Sequence, residues 1–142
     1  MYPKTYNPTS RQNRISVYVS VAAITLLLIY LVDVTVSKLS PSPGLLPMNE
    51  SQRGITFGAT STTLFFAAFV LGFREKRPSA LSSTILITGG ALTGTSILGS
   101  IILSGRFEQV QPTFYIVMVV GYAILGLGVL MAMKRKHLTS SR

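Results

Sequence analysis

Few side chains in this sequence could do acid–base or metal chemistry. Its 142 residues include four acidic groups, one histidine and no cysteine. Without cysteine there are no disulfides, thiolate zinc sites, iron–sulfur clusters or thiol nucleophiles. One carboxylate, Asp33, lies inside a long apolar run. An ionisable group in such a run is costly unless paired or hydrated, which makes Asp33 the candidate intramembrane polar site. It sits near the end of the run, within reach of the headgroup region or of Lys38, Arg53 or Arg106. Anchoring is its expected role, and proton or cation binding is the sharper alternative. Glu50 near Arg53 and Glu108 near Arg106 read as solvated pairs of little energetic value.

The other routes to catalysis are thin. His137 stands in a basic tail and Met118 has no second axial ligand beside it, so no metal site and no haem are expected. Many serines without a histidine or carboxylate nearby do not make a nucleophile–base set. The glycine-rich third run lacks the Gly-Lys-Ser/Thr ending of a phosphate loop. The chain is therefore expected to have no catalytic residues and no cofactor of its own, and is not expected to be an autonomous enzyme.

The elements that must position these groups are four apolar runs. A membrane-spanning helix needs about 20 apolar residues to cross about 30 Å of hydrocarbon. The runs cover about 15–36, 54–73, 81–103 and 113–133, separated by an outer loop at 37–53, a cytoplasmic loop at 74–80 and an outer loop at 104–112, and followed by a basic tail at 134–142. Ser40-Pro41-Ser42-Pro43-Gly44 breaks the chain after the first run, and Pro112 opens the fourth, where its missing N–H costs nothing. The expected fold is an all-α integral membrane protein, a single domain forming a four-transmembrane-helix bundle. The short second and third connections should make the last three helices antiparallel neighbours, with 37–53 an irregular cap. The first run is too long for a signal peptide and no small-residue cleavage site follows it, so it reads as a retained helix.

Charge sets the expected orientation. Lys4, Arg11 and Arg14, then Arg74, Lys76 and Arg77, then Lys134, Arg135, Lys136 and Arg142 fall on one side, against Lys38, Arg53 and Arg106 on the other. Basic residues are retained on the cytoplasmic side, which places both termini there. A formal charge of +9 arranged as clusters beside apolar runs suits anionic lipid headgroups and not nucleic acid. Asn49-Glu50-Ser51 matches an N-glycosylation acceptor triplet in the outer segment.

Helices in lipid associate where small residues let backbones approach. Gly54, Gly58 and Thr62 form one such face; Gly90 and Gly94, flanked by Ala91, Thr95 and Gly99, form another, and Gly121 and Gly128 give the last helix a looser version. These faces read first as internal packing, and second as docking faces for another subunit's helix. The third run also carries many hydroxyls, among them Ser82, Ser83, Thr84, Thr88, Thr95 and Ser96; since such groups can bond to a carbonyl three or four residues back in their own helix, they read as structural before they read as a permeation path. Tyr18, Tyr30, Phe73 and Tyr115 lie where interfacial anchors belong.

These features lead to the expectation of a multi-pass protein of the cell membrane, a non-catalytic accessory subunit of a larger complex. A membrane oxidoreductase of the respiratory or copper-monooxygenase (ammonia/methane) kind would be such a complex. The expected partners are other integral membrane subunits and bound lipids, with a homo-oligomer as a further state. The alternative is a small homo-oligomeric transporter or channel using the hydroxyl-rich third helix.

Overall fold

A computed structural model describes residues 11–39, 45–104 and 112–140, and among these every regular element is helical. Helix α1 (Arg11–Leu39) is followed by one helical turn, α2 (Glu50–Arg53), which runs through a π-helical segment (Gly54–Ala59) into α3 (Thr60–Arg74). Helices α4 (Ala80–Ser104) and α5 (Pro112–Ser140) complete the chain. The stretches Arg11–Ser37, Gly54–Arg74, Ala80–Gly99 and Tyr115–Leu138 are each long and apolar enough to cross a membrane, the pattern of a multi-pass membrane protein.

The local chemistry explains most boundaries. Pro112 starts α5, where its fixed φ suits the first helical position. Glu75, in extended conformation just after α3, lets its N–H bond to the Gly72 carbonyl and closes that helix ahead of Pro78. The second span begins as a π-helix, not an α-helix, and returns to α geometry where the Thr60 N–H bonds to the Phe57 carbonyl. Residues 134–140, expected as a tail, instead continue α5. Lysine and arginine are good helix formers, they complement the negative C-terminal end of the dipole, and no glycine or proline intervenes before Ser140.

Two antiparallel pairs make the bundle. Along α1 and α3, Ser16 donates to the Ala68 carbonyl at 2.8 Å and Ser61 to the Ala23 carbonyl at 2.8 Å, while Asp33 meets Arg53 at the far end. Along α4 and α5 the backbones approach through glycine. A Cβ on Gly121 would lie 2.7 Å from the Gly94 nitrogen, and one on Gly128 would lie 2.8 Å from the Ile87 nitrogen. Helix α1 joins the pairs by packing on α4 as well. The core is Ala23, Leu27, Phe65, Ala68, Leu86 and Ile124.

Helices α3 and α4 are linked by a short connection, yet they touch far less than either pair. A short loop only joins two ends. Along their length Phe65 stands against Gly89 and holds the helices apart, whereas α4 turns Gly90 and Gly94 toward α5.

One end of the bundle is strapped from both sides. Asn13 of α1 donates to the Arg77 carbonyl at 2.8 Å and accepts the Ser79 N–H at 3.1 Å. From α5, Lys134 donates to the carbonyls of Phe73 and Glu75, with its ammonium 4.4 Å from the centre of the Phe73 ring. The start of α1, the connection at 75–79 and the end of α5 therefore share one end.

Candidate functional site

The spacing of Ser16, Ser20, Ala23 and Leu27 defines the buried face of α1, and Asp33 does not fall on it. Asp33 is nonetheless 1% exposed, because the segment before α2 folds over it. Its Oδ1 accepts the backbone N–H groups of Leu45 at 2.8 Å and Leu46 at 2.9 Å. Its Oδ2 lies 3.1 Å from Nη1 of Arg53, an ion-pair contact without the direction of a hydrogen bond. Arg53 also donates through Nε to the Met48 carbonyl at 2.8 Å and through Nη2 to the Leu46 carbonyl at 3.2 Å. Both charges are buried, so each relies on the other and on these backbone groups. The arrangement clasps the end of α1, residues 45–48 and the entry to the second span.

Of the three basic residues in reach by sequence, Arg53 is the one that pairs with Asp33 among the described residues. Arg106 and Glu108 lie outside the described residues, as do the side chains of Lys38 and Glu50. Asn49 is exposed, and its backbone N–H bonds to Oε1 of Gln52 at 3.1 Å. His137 is exposed near the end of α5. Among the described residues no three His, Cys, Asp or Glu side chains gather as a metal set.

A second polar cluster lies near the strapped end. Ser16, Ser20 and Ser82 are fully buried, with Ser82 Oγ 2.9 Å from Ser16 Oγ and 2.8 Å from Ser20 Oγ. Ser20 also donates to the Ser16 carbonyl at 2.8 Å. With the Ser16–Ala68 bond, three hydroxyl hydrogens serve four contacts, so one oxygen pair always shares. Among the described residues no base is bonded to these hydroxyls, and their effect is to bind α1 to α3 and α4. In sequence Ser82 stands out within a hydroxyl-rich run, whereas Ser16 and Ser20 do not. Their signal was an i, i+4 pair in line with Ala23 and Leu27. Nor does the sequence single out Gly72, whose Cβ would collide with the Met131 side chain, or Gly89 beneath Phe65.

The small-residue faces divide in two. A Cβ on Gly90 would strike the Leu125 nitrogen, and one on Gly94 would meet the Tyr122 ring at 3.0 Å, so Gly90, Gly94, Gly121 and Gly128 all lie in the α4–α5 contact. Beside Gly54, Gly58 and Gly99 there is open space. Thr62 is half-buried and bonds to the Gly58 carbonyl at 2.9 Å, while Thr95 is exposed and bonds to the Ala91 carbonyl at 2.6 Å. Among the described residues, no other helix thus fills the space beside Gly54 and Gly58. No family model matches this chain, and neither a curated protein nor a solved structure shows significant similarity to it.

Proposed function

We infer that the chain is a non-catalytic accessory subunit of a larger complex in a cell membrane, with both termini cytoplasmic. The observation that carries this reading is the closure of Asp33. The carboxylate within the spans is spent on Arg53 and on two backbone N–H groups, which leaves it to hold the fold and not to move a proton or cation. The buried hydroxyls are likewise turned on one another and on carbonyls. What faces outward is surface for packing, including the glycines at positions 54 and 58 at the entry to the second span.

Charge supports the orientation. Arg11, Arg14, Arg74, Lys76, Arg77, Lys134, Arg135 and Lys136 belong to the strapped end, and Lys38 and Arg53 to the other. A complex of this kind, for example a membrane oxidoreductase, would carry its cofactor ligands in other chains. The transporter reading is weaker, because the hydroxyls of Thr95 and Ser96 bond to the Ala91 and Leu92 carbonyls of their own helix.

The test is to substitute Gly54→Leu and Gly58→Leu and follow what co-migrates with the full chain after mild detergent extraction. Loss of co-migrating chains with the fold retained, judged by helical circular dichroism, is the expected result. Unchanged co-migration would remove the Gly54–Gly58 face from the account.

A further inference from the structure

Ser61 and Ala68 stand seven residues apart on the second span and both meet α1, Ser61 through the Ala23 carbonyl and Ala68 through the Ser16 hydroxyl. An α-helix turns about 100° per residue, so seven residues make close to two turns and one face repeats at that interval. Carried back once from Ser61, the same interval in α geometry puts Gly54 against α1. The residue that reaches α1 is instead Arg53, buried and 3.1 Å from Asp33 Oδ2. Among the described residues, nothing lies within 4 Å of a Cβ on Gly54.

The π-helical segment Gly54–Ala59 accounts for the difference. Its bonds join residues i and i+5, one residue more per turn than in an α-helix, so the chain before it is turned back by one place, about 100°. Arg53 thereby takes the place that Gly54 would hold. No buried side chain of the segment selects that geometry. None of its residues is buried, Gly54 and Gly58 have open space beside them, and the backbone is α-helical on either side, at Arg53 and at Thr60. A π turn is rare where nothing imposes it. What imposes it here is the anchoring of its two ends on α1, Arg53 on Asp33 and Ser61 on Ala23.

We propose that this segment is a register hinge latched by the Asp33–Arg53 pair. With the latch closed, the segment is π-helical and Gly54 faces away from α1. When the pair opens, the segment relaxes to α geometry and residues 50–53 turn by about 100° relative to α3. Arg53 leaves Asp33, and Gly54 swings toward α1. The Met48 and Leu46 carbonyls, which Arg53 holds at 2.8 Å and 3.2 Å, are released in the same step. The placement of residues 45–48 and the register of the second span are therefore coupled. Two arrangements one helical position apart are the discrete kind of change that packed helices switch between. The hinge stands on the geometry of the clasp and is independent of the accessory role inferred above.

The chain has no cysteine, so a cysteine pair reports the register without background. Tyr30 stands seven residues after Ala23, level with position 54 across the two antiparallel helices. The full-length chain carrying Tyr30→Cys and Gly54→Cys is oxidised in phosphatidylcholine vesicles, with the latch intact or replaced by Asp33→Leu and Arg53→Met. A disulfide needs Cα atoms within about 7 Å, so intramolecular linking is expected to rise about tenfold when the latch is replaced. Unchanged linking, with helical circular dichroism retained, overturns the proposal. Deletion of Thr56 tests the same register with the latch in place. It removes the extra residue, so an unbroken α-helix then carries Arg53 in line with Ser61, and the variant is expected to melt at or above the wild-type temperature. A melting temperature lowered as far as by Asp33→Ala overturns the proposal as well.

Discussion

Asp33 shows how one residue's role depends on chain far from it. The buried spacing of α1 passes through Ala23 and Leu27 and leaves Asp33 to one side, and among the described residues Leu45, Leu46 and Arg53 hold it. Asp33→Ala strands a buried guanidinium, and an unfolding titration in mixed micelles should show a loss of about 3–5 kcal/mol. Pairing Asp33→Leu with Arg53→Met should recover part of that loss, since neither charge is then left alone. A double variant no better than the single would mean the backbone bonds matter more than the charges. Ser82→Ala should cost less, about 1 kcal/mol, the usual scale for hydrogen bonds between helices in a membrane. From sequence the isolation of Asp33 in an apolar run was legible, and Arg53 stood among three candidate partners. The choice was not legible, because it depends on how residues 45–48 fold back. The serine cluster was half legible, since Ser82 stood out in a hydroxyl-rich run while Ser16 and Ser20 hid in an apolar one.

At the scale of elements, the glycine pairs decide which helices approach. Gly90→Ala places a methyl against the α5 backbone and should destabilise by about 1–3 kcal/mol. Gly126→Ala, with nothing within 4 Å of the new methyl, should instead gain up to about 1 kcal/mol from helix propensity. Thermal melts of the two variants side by side check both signs. Replacing Thr88, Thr95 and Ser96 together by Ala should leave ion and solute flux in proteoliposomes unchanged from wild type; altered flux with normal assembly would favour the transport reading. The four spans were readable from run length and from Pro112 and Pro78, because hydrocarbon thickness imposes length directly. The pairing of helices was less readable. Connection length suggested α3 with α4, whereas the opposition of Phe65 to Gly89 and of Gly90 to Leu125 sets the observed pairs, and such oppositions follow from rotations about helix axes that no single run encodes. The continuation of α5 through Ser140 is not legible from hydropathy, because the charges at 134–136 mark only the end of the helix's apolar part.

For the whole molecule, outward surface outweighs inward. At most a third of any span's apolar window is buried within the chain, the share for α4, so lipid or other subunits must cover the rest. The strapped end, with the start of α1, the 75–79 connection and the end of α5 brought together, gives the basic clusters a single side. A membrane-impermeant maleimide added to intact cells should therefore label Gln52→Cys and spare Lys76→Cys; the reverse pattern would invert the orientation. The proposed role requires this chain to sit in a larger assembly. It is tested most directly by extracting native membranes in a mild detergent, sizing the particle that carries the chain, and identifying its components by mass spectrometry. Stoichiometric co-migration with larger chains, including cofactor-bearing ones, is the expected result. A particle containing this 15.4 kDa chain alone, as monomer or homo-oligomer, would contradict it.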